Sequence, residues 1–159
     1  MAKSKEKENK GPATIQNRKA RYDFEILQSF EAGLVLVGSE VKSLYQGRAN
    51  LTDSFCQIKD GEIWVLHIDI EPYAYSAHFQ PERRRDRKLL MHKKEIELID
   101  RRSKEKGFTI IPLKIYFSHG KAKVEIALAR GKRQYDKREK ITERDTRKER
   151  DQALKKFVR

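Results

Sequence analysis

The chain has one cysteine, Cys56, among 159 residues, so no intramolecular disulfide framework can form and a reducing compartment suits it. Cys56 lies in an apolar, strand-like run, where a thiol serves as a small buried hydrophobe. Nowhere do about eighteen apolar residues follow one another, which argues against a helical membrane span. The opening MAKSKEKENKGP lacks the apolar core of a secretory leader, so a cytoplasmic location is expected. Metal-ligand spacing is missing as well: His67, His78, His92 and His119 stand far apart, without close Cys or His neighbours. No P-loop, dinucleotide fingerprint or G-x-S-x-G occurs. The carboxylates are interspersed with Lys and Arg, the pattern of a solvated face. A protein without cofactor or metal, and without enzymatic chemistry, is expected.

What the chain has in excess is positive charge, a net +13 from 37 Lys and Arg against 24 Asp and Glu. The excess is concentrated at the ends: residues 1–21 carry seven basic and two acidic side chains, and residues 131–159 carry twelve and six. A near-neutral body with two basic flanks predicts a folded module that reaches along a polyanion. Three regions follow: a flexible basic segment over 1–21, a single folded body over 22–130, and a basic tail over 131–159.

The clearest folding pattern runs from Glu31 to Phe55. Leu34–Val37 is a short apolar run bounded by Gly33 and Gly38, which reads as a strand. Ser39 then offers an N-cap, Glu40 an acid in the first turn, and Val41, Leu44 and Tyr45 one face of a short helix ending at Gly47. Ahead of it, Tyr22, Phe24, Ile26 and Phe30 alternate as a strand with one buried face, and Glu31, Ala32 and Gly33 read as the turn of a hairpin. A second hairpin turns at Asp60-Gly61, between Phe55–Lys59 and Glu62–Ile68. Residues 70–87, with Pro72, Pro81, aromatics and four arginines, read as a long loop. The segment from His92 reads as an amphipathic helix with Ile96 and Ile99 on one face and Gly107 as its stop. A third hairpin joins Phe108–Phe117 to Lys121–Ala129 through Ser118, His119 and Gly120.

Six strands in three hairpins, with added short helices, predict a mostly β fold: a small, closed, antiparallel, six-stranded barrel. The tail from Gly131 has too few apolar residues to offset its ordering entropy and is expected to be disordered alone. Thr142-x-x-Asp145 and the spaced pairs Glu143/Arg147 and Asp151/Lys155 favour a helix once a partner is present. Basic flanks, a barrel and aromatics beside positive charge at Tyr22 and Tyr135 point to nucleic acid, with rings for unpaired bases and cations for phosphates. On these residues alone, DNA stays open beside RNA.

Several separate stretches occur together in one order: NRKAR at Asn17 to Arg21, EAGLVLVGSEVKSLYQGRAN at Glu31 to Asn50, RDRKLL at Arg85 to Leu90, and LARGKRQYDKRE at Leu128 to Glu139. Together they resemble bacterial small protein B, the partner of transfer-messenger RNA (tmRNA) in rescuing stalled ribosomes, over nearly the whole chain. The resemblance implies an OB-like barrel that binds the tRNA-like domain of tmRNA through Asn17, Arg18, Lys19, Arg21, Tyr22, Glu31, Arg85, Arg87, Lys88, Leu90, Lys123 and Lys132. For Glu31 the alternative is a local pairing with Lys or Arg; for Leu90 it is a core position; for Arg18, Lys19 and Arg21 it is a solvated cluster. The D-K-R motif falls on Asp136, Lys137 and Arg138, which the resemblance places at the ribosomal decoding centre together with Tyr135, where many relatives have His. Arg144, Arg147, Lys148 and Arg150 would line the vacant messenger channel as a helix. The implied partners are tmRNA, the ribosome and ribosomal RNA, with alanyl-tRNA synthetase and elongation factor Tu acting through the RNA. The protein would be a monomer when bound, in the cytoplasm and away from membranes. The competing reading is a basic ribosomal or ribosome-assembly protein on the same barrel.

Overall fold

The computed structural model describes residues 11–76, 79–105, 107–132 and 134–157, with the backbone alone for 134–140. The first ten residues of the expected flexible segment, His78, and the side chains of Tyr135, Asp136, Lys137 and Arg138 lie outside the described residues. The element order is β1 (Ile15–Gln16), α1 (Arg18–Asp23), β2 (Phe24–Leu34), α2 (Gly38–Tyr45), β3 (Ala49–Asn50), β4 (Phe55–Lys59), β5 (Glu62–Leu66), β6 (Asp69–Ile70), β7 (Arg87–Leu90), α3 (Lys93–Ser103), β8 (Phe108–Ser118), β9 (Lys121–Gly131) and α4 (Gln134–Phe157).

The strands run β8-β4-β5-β7-β2-β9, and β9 pairs back onto β8, so six antiparallel strands close into a ring. Closure leaves no ring strand with a wholly unpaired edge. The two short β1 residues add to β8 beyond its contact with β4, and β3 pairs with β6 apart from the ring. Ile63, Val65, Leu89, Ile110, Ile115, Val124, Ile126 and Leu128 point inward to the main core, joined by Leu44 of α2 and Ile96 and Ile99 of α3. Ala127 and Ala129 alternate with these on β9 and pack outward with Ile111, Leu113 and Ala20 of α1. The middle of β8 and β9 is therefore covered on both sides, which is why Ile110–Leu113 and Ile126–Ala129 are unbroken buried runs.

The expected number of ring strands is met by a different set. The hairpin between Tyr22–Phe30 and Leu34–Val37 does not form: Phe24–Leu34 is one continuous strand, paired along β9 from Phe24↔Gly131 to Gly33↔Lys123. A bulge at Leu27 absorbs the Gln28 break in the alternation. Gly33 lacks the positive φ of a hairpin turn and serves instead to let Leu90 approach, since a Cβ there would meet Leu90 Cβ at 3.3 Å. Tyr22 belongs to α1. The sixth strand is β7, from the end of the expected long loop, and it fills the gap between β5 and β2. Four residues with two cations are too few to show a period.

The turn chemistry holds where glycine follows a residue tolerant of positive φ. Asp60 (52°) with Gly61 (75°) joins β4 to β5, and His119 (50°) with Gly120 (74°) joins β8 to β9. Helix α2 starts one residue before the expected Ser39 cap, and Glu40 Oε2 accepts the Val37 N–H at 2.9 Å. The tail forms helix α4, the form expected against a partner, and every described side chain from Ile141 to Phe157 is exposed.

Candidate nucleic-acid interface

Register places a set of side chains side by side on the outer face of the ring. Gly33 on β2 is opposite Leu90 on β7 and Lys123 on β9, and Lys123 is opposite Tyr116 on β8. Glu31 is two residues before Gly33, hence on the same face, while Ala32, Leu34, Leu89 and Val124 point to the core. Lys123 Nζ donates to Glu31 Oε1 at 2.8 Å and the Tyr116 hydroxyl donates to Glu31 Oε2. These two bonds, Lys123 first, hold the Glu31 carboxyl below its ordinary range; the Tyr116 phenol is pushed up to about 12, by burial first and then by its bond to Glu31. Glu31 therefore stays anionic, and oriented, at any physiological pH. Leu90 is 57% exposed although it is apolar. An open cleft of about 470 Å³ lies over this row, with Met91, His92 and Glu95 at its side.

Of the residues expected to touch RNA, Glu31, Leu90 and Lys123 are thus brought together. A second group gathers around α1: Arg18, Lys19, Arg21 and Tyr22 are exposed, and Lys132 donates to the Arg21 carbonyl at 3.0 Å. Lys19 is held by Asp53 at 2.9 Å. On α4, Arg144, Arg147 and Lys148 share a face at i, i+3 and i+4, with Arg150 beside it, all exposed.

Three expected contacts are turned inward. The Asn17 side chain is buried: its Oδ1 accepts the Ala20 N–H, capping α1, and its amide donates to the carbonyls of Leu51 at 3.1 Å and Pro112 at 3.0 Å. Both donors are spent inside the fold. Arg87 is fully buried and donates to Glu40 Oε1 at 2.7 and 3.0 Å and to the carbonyls of Ile68, Arg83 and Arg85. Arg85 grips the same carboxylate at 2.9 and 2.6 Å. These side chains hold the loop between β6 and β7 on α2; in this arrangement their donors face protein acceptors rather than phosphates. Lys88 pairs with Glu62 at 2.6 Å on the neighbouring strand.

Gly33, Tyr116 and Glu40 are not among the expected site residues. A glycine inside an apolar strand signals close approach as well as a turn, and that signal was present at Gly33. Tyr116 has no local signature, because its partner is 85 residues away. Among the described residues, no three His, Cys, Asp or Glu are grouped to hold a metal ion, and no helix is long and apolar enough to cross a membrane.

A closed β ring with a mixed polar and apolar row on one face and cationic flanks has the architecture of a nucleic-acid adaptor module. The family model described as "SmpB protein" matches residues 14–156. The chain belongs to that family. It is 51% identical to the SsrA-binding protein of Thermobifida fusca (strain YX) over 154 residues, covering 96% of each chain. It is 48% identical to the SsrA-binding protein of Ligilactobacillus salivarius (strain UCC118) over 157 residues, covering 99% of each. A solved chain described as "tmRNA-SmpB: a journey to the center of the bacterial ribosome" superposes with a TM-score of 0.66 at 44% identity, over 80% of this chain and 94% of that one.

Proposed function

We propose that this protein is a tmRNA-binding adaptor of trans-translation. The ring binds the tRNA-like domain of tmRNA, and the complex enters the empty A site of a stalled ribosome. The observation that carries the reading is family membership across residues 14–156, and the Glu31–Gly33–Lys123–Leu90 row supplies a surface suited to unpaired RNA. A carboxylate beside RNA repels phosphates, so Glu31 accepts from base or sugar donors, while Lys123 and the α1 cations hold the backbone. Alanyl-tRNA synthetase and elongation factor Tu would act through the RNA; the protein itself works as a monomer in the cytoplasm and contributes no catalytic group.

In this reading Tyr135, Asp136, Lys137 and Arg138 contact the decoding centre, and α4 lies in the vacant messenger channel. A helix with Arg144, Arg147, Lys148 and Arg150 outward gains most between walls of ribosomal RNA phosphate, and messenger RNA in the channel excludes it by bulk and charge. The test is the RNA recovered with the protein from cells under native conditions. Enrichment of tmRNA over bulk ribosomal RNA is expected; ribosomal RNA alone would favour an assembly or ribosomal protein instead.

A further inference from the structure

The loop between β6 and β7 is held firmly without any ligand. Arg83, Arg85 and Arg87 pair with Asp69 and Glu40 of the same chain. The Ile70 N–H donates to the Arg83 carbonyl at 3.2 Å and the Glu71 N–H to the Arg48 carbonyl at 3.1 Å. The Tyr73 carbonyl accepts from the Ser76 N–H at 3.1 Å and from the Gln80 side chain at 2.9 Å. This scaffold presents two tyrosines: Tyr73 and Tyr75 meet edge to face with centroids 5.7 Å apart, and Tyr75 is 84% exposed. Lys42 of α2 lies over the Tyr73 ring at 5.3 Å. Tyr45, three residues further along α2 and so beside Lys42, is half exposed and packs against Phe117 at 5.6 Å. Scattered exposed rings are ordinary, but a connected series of them beside a pinned loop marks a contact surface.

Resting on the reading above that the partner is RNA, we propose that the surface formed by Tyr45, Lys42, Tyr73 and Tyr75 binds a single-stranded stretch of RNA, at a place outside the outer-face row. Every base has a π face, so an unpaired strand can lay its bases on exposed rings, whereas a duplex keeps its bases stacked on one another. Tyr75 carries the most open ring and is the principal platform. Lys42, already over Tyr73, meets the phosphates. The loop itself adds no net charge, since residues 71–86 carry three arginines and three acids. The positive excess comes from the N-terminal side. Residues 1–10 hold four lysines and two glutamates and join the described chain at Gly11, and two residues later the Ala13 N–H donates to the Tyr45 carbonyl at 3.2 Å. A basic segment rooted beside the rings suits a polyanion that also has flat faces to stack; an uncharged peptide would gain nothing from it.

The probe is a twelve-nucleotide oligouridylate, which forms no duplex, labelled at its 5′ end and titrated with the full-length protein by fluorescence anisotropy, with backbone amide shifts followed by NMR. It should move the amides of Lys42, Tyr45, Tyr73 and Tyr75. Tyr75→Ala should weaken it at least about fivefold, while Tyr75→Phe, which keeps the ring, should stay within about twofold of wild type. Lys42→Gln should weaken it and lower the slope of log affinity against log salt by about 0.7. Because Tyr75 is so exposed, Tyr75→Ala should melt as the wild type does. The tRNA-like RNA, measured in parallel, should lose less than about twofold in Tyr75→Ala. An oligouridylate affinity unchanged by Tyr75→Ala, or shifts located elsewhere, would overturn the proposal. Equal losses for both RNAs would overturn it as a separate site. Tagging that falls while both RNAs bind normally would mean a protein surface instead, and would also overturn it. The two levels stay distinguishable. Binding of the tRNA-like RNA without a Tyr75-dependent oligouridylate keeps the adaptor reading and removes this site; the converse result keeps the site and removes the adaptor reading.

Discussion

The guanidinium of Arg87 lies 2.7 Å from Oε1 of Glu40, with the Arg87 side chain wholly buried and that of Glu40 only 4% exposed. An arginine out of water on a strand of four residues explains how so short an element closes the ring. Its remaining donors fix the carbonyls of Ile68, Arg83 and Arg85, so the charge pair ties α2, β7 and the backbone at those three residues into one unit.

Breaking that pair from one side leaves a buried charge. Arg87→Met is therefore expected to cost about 3–5 kcal/mol, read from the urea midpoint, whereas Arg87→Met with Glu40→Leu should lose less than the two single losses combined. Strict additivity would mean the two side chains act separately.

Acid should act through the same carboxylate. Burial alone would push the Glu40 carboxyl up, but hydrogen bonds from Arg85, the Val37 amide and Arg87 outweigh it and hold the carboxyl below its ordinary value. A depressed folded value contributes stability that is fully present above the unfolded value of about 4.3 and is lost as pH falls through the folded one. The stability gap between the protein and Glu40→Gln should therefore narrow on acidification below about pH 4. A gap that widens there would contradict this sign.

Asn17→Ala should destabilise by roughly 2–4 kcal/mol, since it removes a helix cap and two buried hydrogen bonds, to the carbonyls of Leu51 and Pro112. Asn17→Asp keeps the cap acceptor but sets a carboxylate against those carbonyls, so it should not rescue the thermal midpoint. An Ala variant that melts normally yet loses RNA would restore Asn17 as a direct contact.

At the exposed row the expectation is opposite. Glu31→Ala should shift stability by less than about 0.5 kcal/mol while weakening the tRNA-like RNA. With about six phosphates neutralised, wild-type affinity should fall about a thousandfold between 50 and 200 mM salt. A flat salt response would remove the electrostatic account.

Helix α4 should be separable from RNA capture. Since β9 extends to Gly131 and the Lys132 N–H bonds to the Asp23 carbonyl at 2.9 Å, the cut belongs after Arg133. The truncated protein should bind free tmRNA normally and fail to support tagging on stalled ribosomes, and Tyr135→Phe should be tolerated where Tyr135→Ala is not. Loss of free-RNA binding on truncation, or tagging at full rate, would undo this division.

How much of this was legible in the chain varied with the range of the interaction. The Asp60-Gly61 and His119-Gly120 turns, the helix over Ile96 and Ile99 and the β8–β9 hairpin rest on local chemistry and were readable. The run from Phe24 to Leu34 was misdivided, because Gly33 has the same letter whether it turns a chain or yields space to Leu90. Strand β7 was missed because its determinant is Glu40, 47 residues away. At the site, Glu31, Leu90 and Lys123 came from family resemblance, and Asn17, Arg85 and Arg87 show its limit: a motif records that residues matter without saying whether they face a ligand or the interior.

The long pairing of β2 with β9 also sets a distance. At one end Phe24 is opposite Gly131, three residues before α4 begins; at the other, Gly33 is opposite Lys123 in the outer-face row. Nine steps of about 3.3 Å place these ends roughly 30 Å apart along a paired strut. Such a span is counted in residues and does not stretch as a linker would, so the ring acts as a gauge block between its outer-face row and the start of the helix.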